Sequence, residues 1–479
     1  MARKSIKYID LFAGCGGLSV GLERAGFELA MAIEKSDMAC ETFYHNLIKP
    51  LESKQEWKKY CALPLSEQAK NRLVVNTLRA VLDDKGVMNE IKEKNVDVIV
   101  GGPPCQGFSL AGRRNPKDAR NQLPWQFIEF VEKIQPKMVL MENVVGMSRD
   151  FTKHNVESPF SQLCLQLQKT GIGYEVQPVQ LNAMHYGIPQ HRPRVMLLGL
   201  RKDIAKKMNL YFSNRVYKSE YDNEKLRVNF ERRPEIVPEA KYFGERLLRV
   251  RDACWDIGDR GYGVKLTDIK YSEKAANYAR ILREGFGNEN EKIKQKINSK
   301  KLSNQILRKH NDLVIERFRL YQYLKANDFS PKLLNFFTAG ADTSEKEFQL
   351  NELKKKIKFP AKSPDGKLLA ENLEGMRALM ERLATKKHSQ RPIDLGRPAP
   401  TMVTIADDFV HPVKPRVLTV REMARIQSFP DAFEFRGKET TGGQKRKVEV
   451  PQYTQVGNAV PPLLAYEVGK NFMKILRGA

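Results

Sequence analysis

The sequence predicts an α/β fold built on an open sheet, and three observations carry that expectation. Short apolar runs recur through roughly the first two hundred residues, each ending in glycines or a polar residue, as buried strands do. The first run leads into a glycine-rich turn and then a helical stretch closed by Gly26, the strand–turn–helix unit of such a sheet. From about Arg201 to Gly396 the composition changes: lysine-rich, helix-forming segments alternate with aromatic-bearing stretches and turns, so a separate region is expected there.

Taken in order, Tyr8-Ile9-Asp10-Leu11-Phe12 reads as a strand, Ala13-Gly14-Cys15-Gly16-Gly17 as a turn, and Leu18–Ala25 as a helix. That unit brings bare backbone to a ligand at a helix N-terminus. Leu29–Ile33 is a second strand ending at Glu34, about twenty residues after the first loop glycine, the spacing at which a carboxylate takes ribose hydroxyls. Tight packing of helix on strand is the other use of such glycines, and the full G-x-G-x-x-G pattern of a dinucleotide site is missing. Val96–Val100 is a strand running into Gly101-Gly102-Pro103-Pro104-Cys105, where two prolines stiffen the backbone before a thiol. Cys105 thus sits at the carboxyl end of a strand, where open sheets keep their ligands. A small buried core residue is its alternative reading.

A basic loop (Arg113, Arg114, Lys117, Arg120) precedes an amphipathic helix over Trp125–Ile134. Met138–Met141 is a further strand with Glu142 at its carboxyl edge, a candidate for proton work or for capping a helix. Gln190-His191-Arg192-Pro193-Arg194 leads into the strand Val195–Gly199. If the extended conformation reaches back, Gln190, Arg192 and Arg194 share one face.

The net charge of +25 points to a polyanionic partner, with nucleic acid ahead of a membrane surface. Six cysteines stand singly without a C-x-x-C pair, which suggests neither a disulfide frame nor a zinc site and fits a reducing compartment. No apolar run approaches membrane-spanning length and no signal core opens the chain, so a soluble, cytoplasmic protein is expected.

Asp10–Gly17, Gly101–Ser109, Glu142-Asn143-Val144, the Gln190, Arg192, Arg194 trio, Arg397-Pro398-Ala399-Pro400-Thr401 with Arg416–Pro430, and Gln455–Pro462 stand in one order. It is the order in which the cytosine-5 DNA methyltransferases carry their motifs. The chain resembles that family over roughly its first two hundred and last eighty residues. The resemblance implies a Rossmann-like, S-adenosylmethionine-dependent methyltransferase domain made of residues 1–200 and 397–479, with a smaller DNA target-recognition region, 201–396, inserted between. Within that region Asn304–Leu324 resembles a helical segment of larger family members.

The cofactor, S-adenosyl-L-methionine, is expected at Phe12, Ala13, Gly14, Cys15, Gly16, Gly17, Leu18, Glu34, Pro104, Asn458 and Val460. The family's acidic residue for the adenine amine is missing from Val74–Leu78, which leaves Thr77, Asp83 or Asp84 to replace it. By the same resemblance the Cys105 thiolate adds to C6 of a flipped-out cytosine so that C5 can attack the methyl group. Glu142 then holds a proton at ring N3, Arg192 bonds the ring O2, and Arg194 supports Arg192. The base that takes the C5 proton is not named, and no metal is needed. Double-stranded DNA is the expected partner of a monomer in a bacterial restriction–modification role, and a cognate restriction endonuclease acting on the same site is a further candidate partner. A transfer-RNA methyltransferase and a catalytically silent DNA-binding regulator are the competing readings.

Overall fold

A computed structural model describes residues 5–104, 122–148, 158–222, 225–259, 261–263, 272–284, 302–385 and 389–478. Cys105, the basic loop Arg113–Arg120 and the lysine-rich stretch 290–301 fall outside the described residues. The frame is a nine-stranded sheet of β1 (Lys7–Leu11), β2 (Glu28–Glu34), β3 (Leu73–Val75), β4 (Val98–Gly101), β5 (Met138–Val144), β6 (Tyr174–Asn182), β7 (Pro193–Arg201), β8 (Tyr217–Asp222) and β9 (Lys225–Val228). The strand order is β3-β2-β1-β4-β5-β7-β6-β8-β9. β3, β2, β1, β4 and β5 pair in parallel, and β7 enters antiparallel between β5 and β6.

The first five strands are buried on both faces, which is why they read as continuous apolar runs rather than as alternating ones. Tyr8, Ala32, Val98, Val100 and Leu140 belong to one core, and Ile9, Leu11, Ile33, Ile99, Val139 and Met141 to the core on the opposite face. Between β1 and β4 the strand order reverses, so the crevice outside their carboxyl ends is where an open sheet of this kind takes a ligand. α1 (Gly17–Arg24) leaves β1 on one side of that crevice, and α2 (Asp37–Leu47) leaves β2 on the next. The helix Leu123–Ile134 forms as expected, two residues longer at its start, where Pro124 fits the first turn.

The stretch 201–396 is not uniform. Its first part extends the main sheet through β8 and β9, and Tyr217, Ile236, Val250, Tyr278 and Leu282 join the first core. A separate core runs from Phe318 to Leu383, closed by Val410 and Val417 from beyond that stretch. The helix expected over Asn304–Leu324 starts only at Asp312 and runs to Ala326. Asn311 caps it, accepting from the Val314 N–H at 2.9 Å. Ahead of the cap, Asn304 sits at φ 64 and donates to the Phe435 carbonyl at 2.9 Å, so these residues serve as a tie to the return segment. That segment ends in the helix Pro462–Gly478, packed along α1. Among the described residues no helix is long and apolar enough to cross a membrane.

Candidate active site

The crevice begins where β1 and β4 end side by side. A Cβ on Gly101 would lie 2.2 Å from the Leu11 carbonyl oxygen, so only glycine lets the two strand ends approach this closely. Phe12 then turns the chain at φ 59, a left-handed conformation rare for an aromatic residue, and Gly14 follows at φ 55. The two uses open to the glycines divide between them. A Cβ on Gly14 would meet nothing within 4 Å, so Gly14 faces open space. Cβ atoms on Gly17 and Gly21 would lie 2.3 Å and 2.4 Å from the Val460 and Pro462 carbonyl oxygens, so these two glycines serve packing against the return segment.

Beside that open space stands Glu34. Gly14 N–H donates to its Oε2 at 3.1 Å and Ser36 N–H to its Oε1 at 2.8 Å, while burial pushes its pKa up. Beneath the loop Asp10 is wholly buried. Ser19 Oγ donates to Asp10 Oδ2 at 2.7 Å, but Oδ1 has no partner among the described residues, and burial pushes this carboxyl up to about 7. An open cradle, a held carboxylate and an orphaned acidic oxygen fit a ligand with vicinal hydroxyls and cationic groups, as S-adenosylmethionine has.

The other residues expected around the cofactor separate by side chain. Ala13, Leu18 and Cys15 are buried, and burial pushes the Cys15 thiol up to about 12, so its backbone alone is available. Gly16 turns at φ 99 against Phe43 and Leu47. Val460 is buried with its carbonyl against Gly17, and Asn458 is exposed at the end of the helix Gln452–Asn458. Pro104 is exposed and is the last described residue before Cys105.

The three candidates for the adenine amine are occupied locally. Thr77 and Asp84 each cap a helix, accepting from Ala80 and Val87 N–H, and Asp83 pairs with Arg79. Asn76, whose Oδ1 likewise accepts from the Thr77 N–H at 2.8 Å, is a polar residue that sequence reasoning passed over. It follows Val75, which pairs with Glu34 across β2 and β3, and so stands at the neighbouring strand end.

At the other side of the crevice Glu142 lies on β5 against the start of the proline loop. A Cβ on Gly102 would come within 3.1 Å of Glu142 Oε2, and Asn143 Nδ2 donates to the Pro103 carbonyl at 3.0 Å. Arg194 opposes Val144 across β5 and β7, which makes it the diagonal neighbour of Glu142 on one face. Its Nε lies 2.8 Å from Glu142 Oε1 in a nearly buried ion pair. Desolvation nevertheless wins, and the Glu142 carboxyl stands above the usual carboxylate range, with Arg194 and Arg192 pulling it down.

Arg192 does not stand where the sequence led us to expect. It is 1 % exposed, and its two terminal nitrogens donate to carbonyls, Met402 at 3.1 Å, Gly457 at 2.8 Å and Ala459 at 2.9 Å, while its Nε has no partner among the described residues. The strand conformation does not reach back to it, because β7 starts at Pro193. Gln190 joins it, accepting from Met402 N–H at 2.8 Å and donating to Gln427 Oε1 at 2.8 Å. Of the two arginines, Arg194 is the one at the carboxylate, and Arg192 ties to the return segment. A two-residue alternation gives both arginines the same direction, so nothing in the sequence separates them.

Comparison with known proteins agrees with this geometry. The family model for C-5 cytosine-specific DNA methylases matches residues 6–474. The Type II methyltransferase M.DdeI of Desulfomicrobium norvegicum is 30% identical over 95% of this chain and 86% of its own length. The Type II methyltransferase M.XorII of Xanthomonas oryzae is 28% identical over 98% of the chain and 85% of its own. A candidate DNA modification methyltransferase encoded within an E. coli prophage shares the fold, with a TM-score of 0.60 at 22% identity over 99% of this chain and all of its own. The chain belongs to the C-5 cytosine-specific DNA methylase family, and it transfers a methyl group from S-adenosylmethionine to C5 of cytosine in duplex DNA.

Proposed function

We propose that the reaction runs where β4 and β5 end, with Cys105 as nucleophile and Glu142 and Arg194 holding the target base. The observation that carries this is the buried Glu142–Arg194 pair, 2.8 Å apart and set against Gly102 at the start of the cysteine loop. Cytosine C5 is too weak a nucleophile to displace a methyl group unaided. Addition of the Cys105 thiolate at C6 turns the ring into an enamine. S-adenosylmethionine supplies the methyl group on a sulfonium, a good leaving group. Glu142, its pKa raised by burial, keeps a proton to share with ring N3, and the Arg194 guanidinium takes O2 as charge builds on the ring. Loss of the C5 proton then expels the thiolate, and both ring and enzyme are restored.

Glu34 takes the ribose hydroxyls, with Asn76 at the adjoining strand end for the adenine amine and the Gly14 backbone facing the methionine part. The separate core between Phe318 and Leu383 carries the sequence-reading surface, supported by its independence from the main sheet. A single chain acts at each site. Likeness to two Type II methyltransferases supports a protective role beside an endonuclease of the same specificity.

The test is a duplex with 5-fluorocytosine at the target. Fluorine cannot leave as a cation, so an adduct through Cys105 accumulates only with S-adenosylmethionine and survives denaturing electrophoresis. Cys105→Ala should abolish adduct and turnover while binding DNA, whose phosphate contacts lie elsewhere. An adduct that persists in Cys105→Ala overturns the assignment.

A further inference from the structure

Both hydrogen bonds that fix the Glu34 carboxylate come from segments touching one residue far away in sequence. Gly14 N–H is followed by Cys15, whose Sγ reaches the Gln455 carbonyl oxygen at 3.7 Å. Ser36 N–H is followed by Met38, whose carbonyl accepts from Gln455 Nε2 at 3.2 Å. The Gln455 side chain is 2 % exposed and fully engaged. Its Oε1 accepts from Thr42 Oγ1 at 2.7 Å, and its Nε2 lies among the carbonyls of Met38, Arg436 and Val450. Thr42 in turn accepts from Arg436 N–H at 2.8 Å. The first turn of α2 is thus held to the return segment by the Gln455 side-chain amide, and the glycine loop by the main-chain carbonyl of the same residue.

We propose that Gln455 is a positioning residue for the cofactor site, setting the separation of the two donors that hold Glu34 and so making cofactor affinity depend on the return segment. The idea rests on the reading of Glu34 as the ribose ligand. A buried amide suits the task because its bonds are directional and costly to leave unmade, so the carbonyls it holds cannot drift without loss. Gln455 touches none of the reacting atoms, and its effect should appear in cofactor binding and not in the chemical step.

The test is calorimetric titration of the full chain with S-adenosylmethionine, alongside turnover at saturating cofactor and thermal melting. Gln455→Met keeps length, removes the side-chain bonds and leaves the main-chain carbonyl to Cys15, and should raise the dissociation constant about tenfold, with kcat within about twofold. Thr42→Val should weaken binding by about threefold, Thr42→Ser should restore it, and the Gln455→Met/Thr42→Val pair should lose less than the product of the singles. Glu34→Ala is the separate arm. Unchanged binding there sinks the ribose assignment. Weakened binding there, with wild-type affinity in Gln455→Met and Thr42→Val, leaves the assignment standing and overturns the positioning role. Should Gln455→Met fail to fold, the contrast of Thr42→Val with Thr42→Ser decides, and equal affinities overturn the proposal.

Discussion

Around Glu34 and Glu142 the chain gathers residues from its first hundred positions, from β5 and β7, and from its last eighty, joined by buried polar groups on top of the first apolar core. Between Phe318 and Leu383 the second core is apolar and drawn from nearly contiguous chain, with Val410 and Val417 as its only distant members among the described residues. Polar ties are directional and fix angles as well as distances, and apolar packing fixes mainly volume. A cradle for a small molecule needs the first kind of order. A self-contained apolar core needs only the second. The two meet at few ties, such as Gln322 Nε2 donating to the His411 carbonyl at 2.7 Å.

That contrast can be broken most severely at Arg425. It is wholly buried between Asp256 and Asp431, so Arg425→Met takes a cation from two buried carboxylates, of which Asp256 keeps Arg283, and should cost about 3–5 kcal/mol, seen as a large fall in Tm with loss of both cofactor and DNA binding. Next comes the arginine pair. Arg192→Met takes the guanidinium donors from the Met402, Gly457 and Ala459 carbonyls, of which Ala459 keeps Gln427 Nε2, and should cost about 3 kcal/mol of stability in denaturant melts. Arg194→Met should instead lower kcat about a hundredfold with a small shift in Tm. If the two variants behave alike, this division between the two arginines is wrong.

In the second core, Leu334→Ala opens a cavity at a fully buried position and should cost about 2–3 kcal/mol locally. DNA affinity and site preference should fall while S-adenosylmethionine still binds normally by calorimetry. Loss of cofactor affinity would show that the two cores are not independent. The smallest effect is on pH. Burial holds the Glu142 carboxyl above its usual range and Arg194 pulls it down, so removing that cation raises the pKa further. The alkaline limb of kcat/KM due to loss of the Glu142 proton should therefore move to higher pH in Arg194→Met and vanish in Glu142→Gln. An acidic limb that moves to higher pH in Arg194→Met would instead mean that Glu142 works ionised.

The sequence by itself determined the alternation of strand, glycine turn and helix, the carboxyl-end positions of Glu34 and Glu142, and the family with its reaction. These are local matters: a strand buried on both faces must be an apolar run, and a turn needing positive φ must be rich in glycine. What Arg192 and Arg194 each do was decided only by tertiary structure, because both point the same way along the chain and only distant carbonyls of Met402, Gly457 and Ala459 tell them apart. The same holds for the glycines. Gly14 opens on empty space, while Gly17 and Gly21 press on backbone more than four hundred residues away in the chain, which no local pattern encodes. Nor could spacing reveal where the second core begins, since residues 201–284 look as basic as those after them yet share in the main core. Which surface a segment buries is settled by the partner it meets, and that partner is named only by the fold.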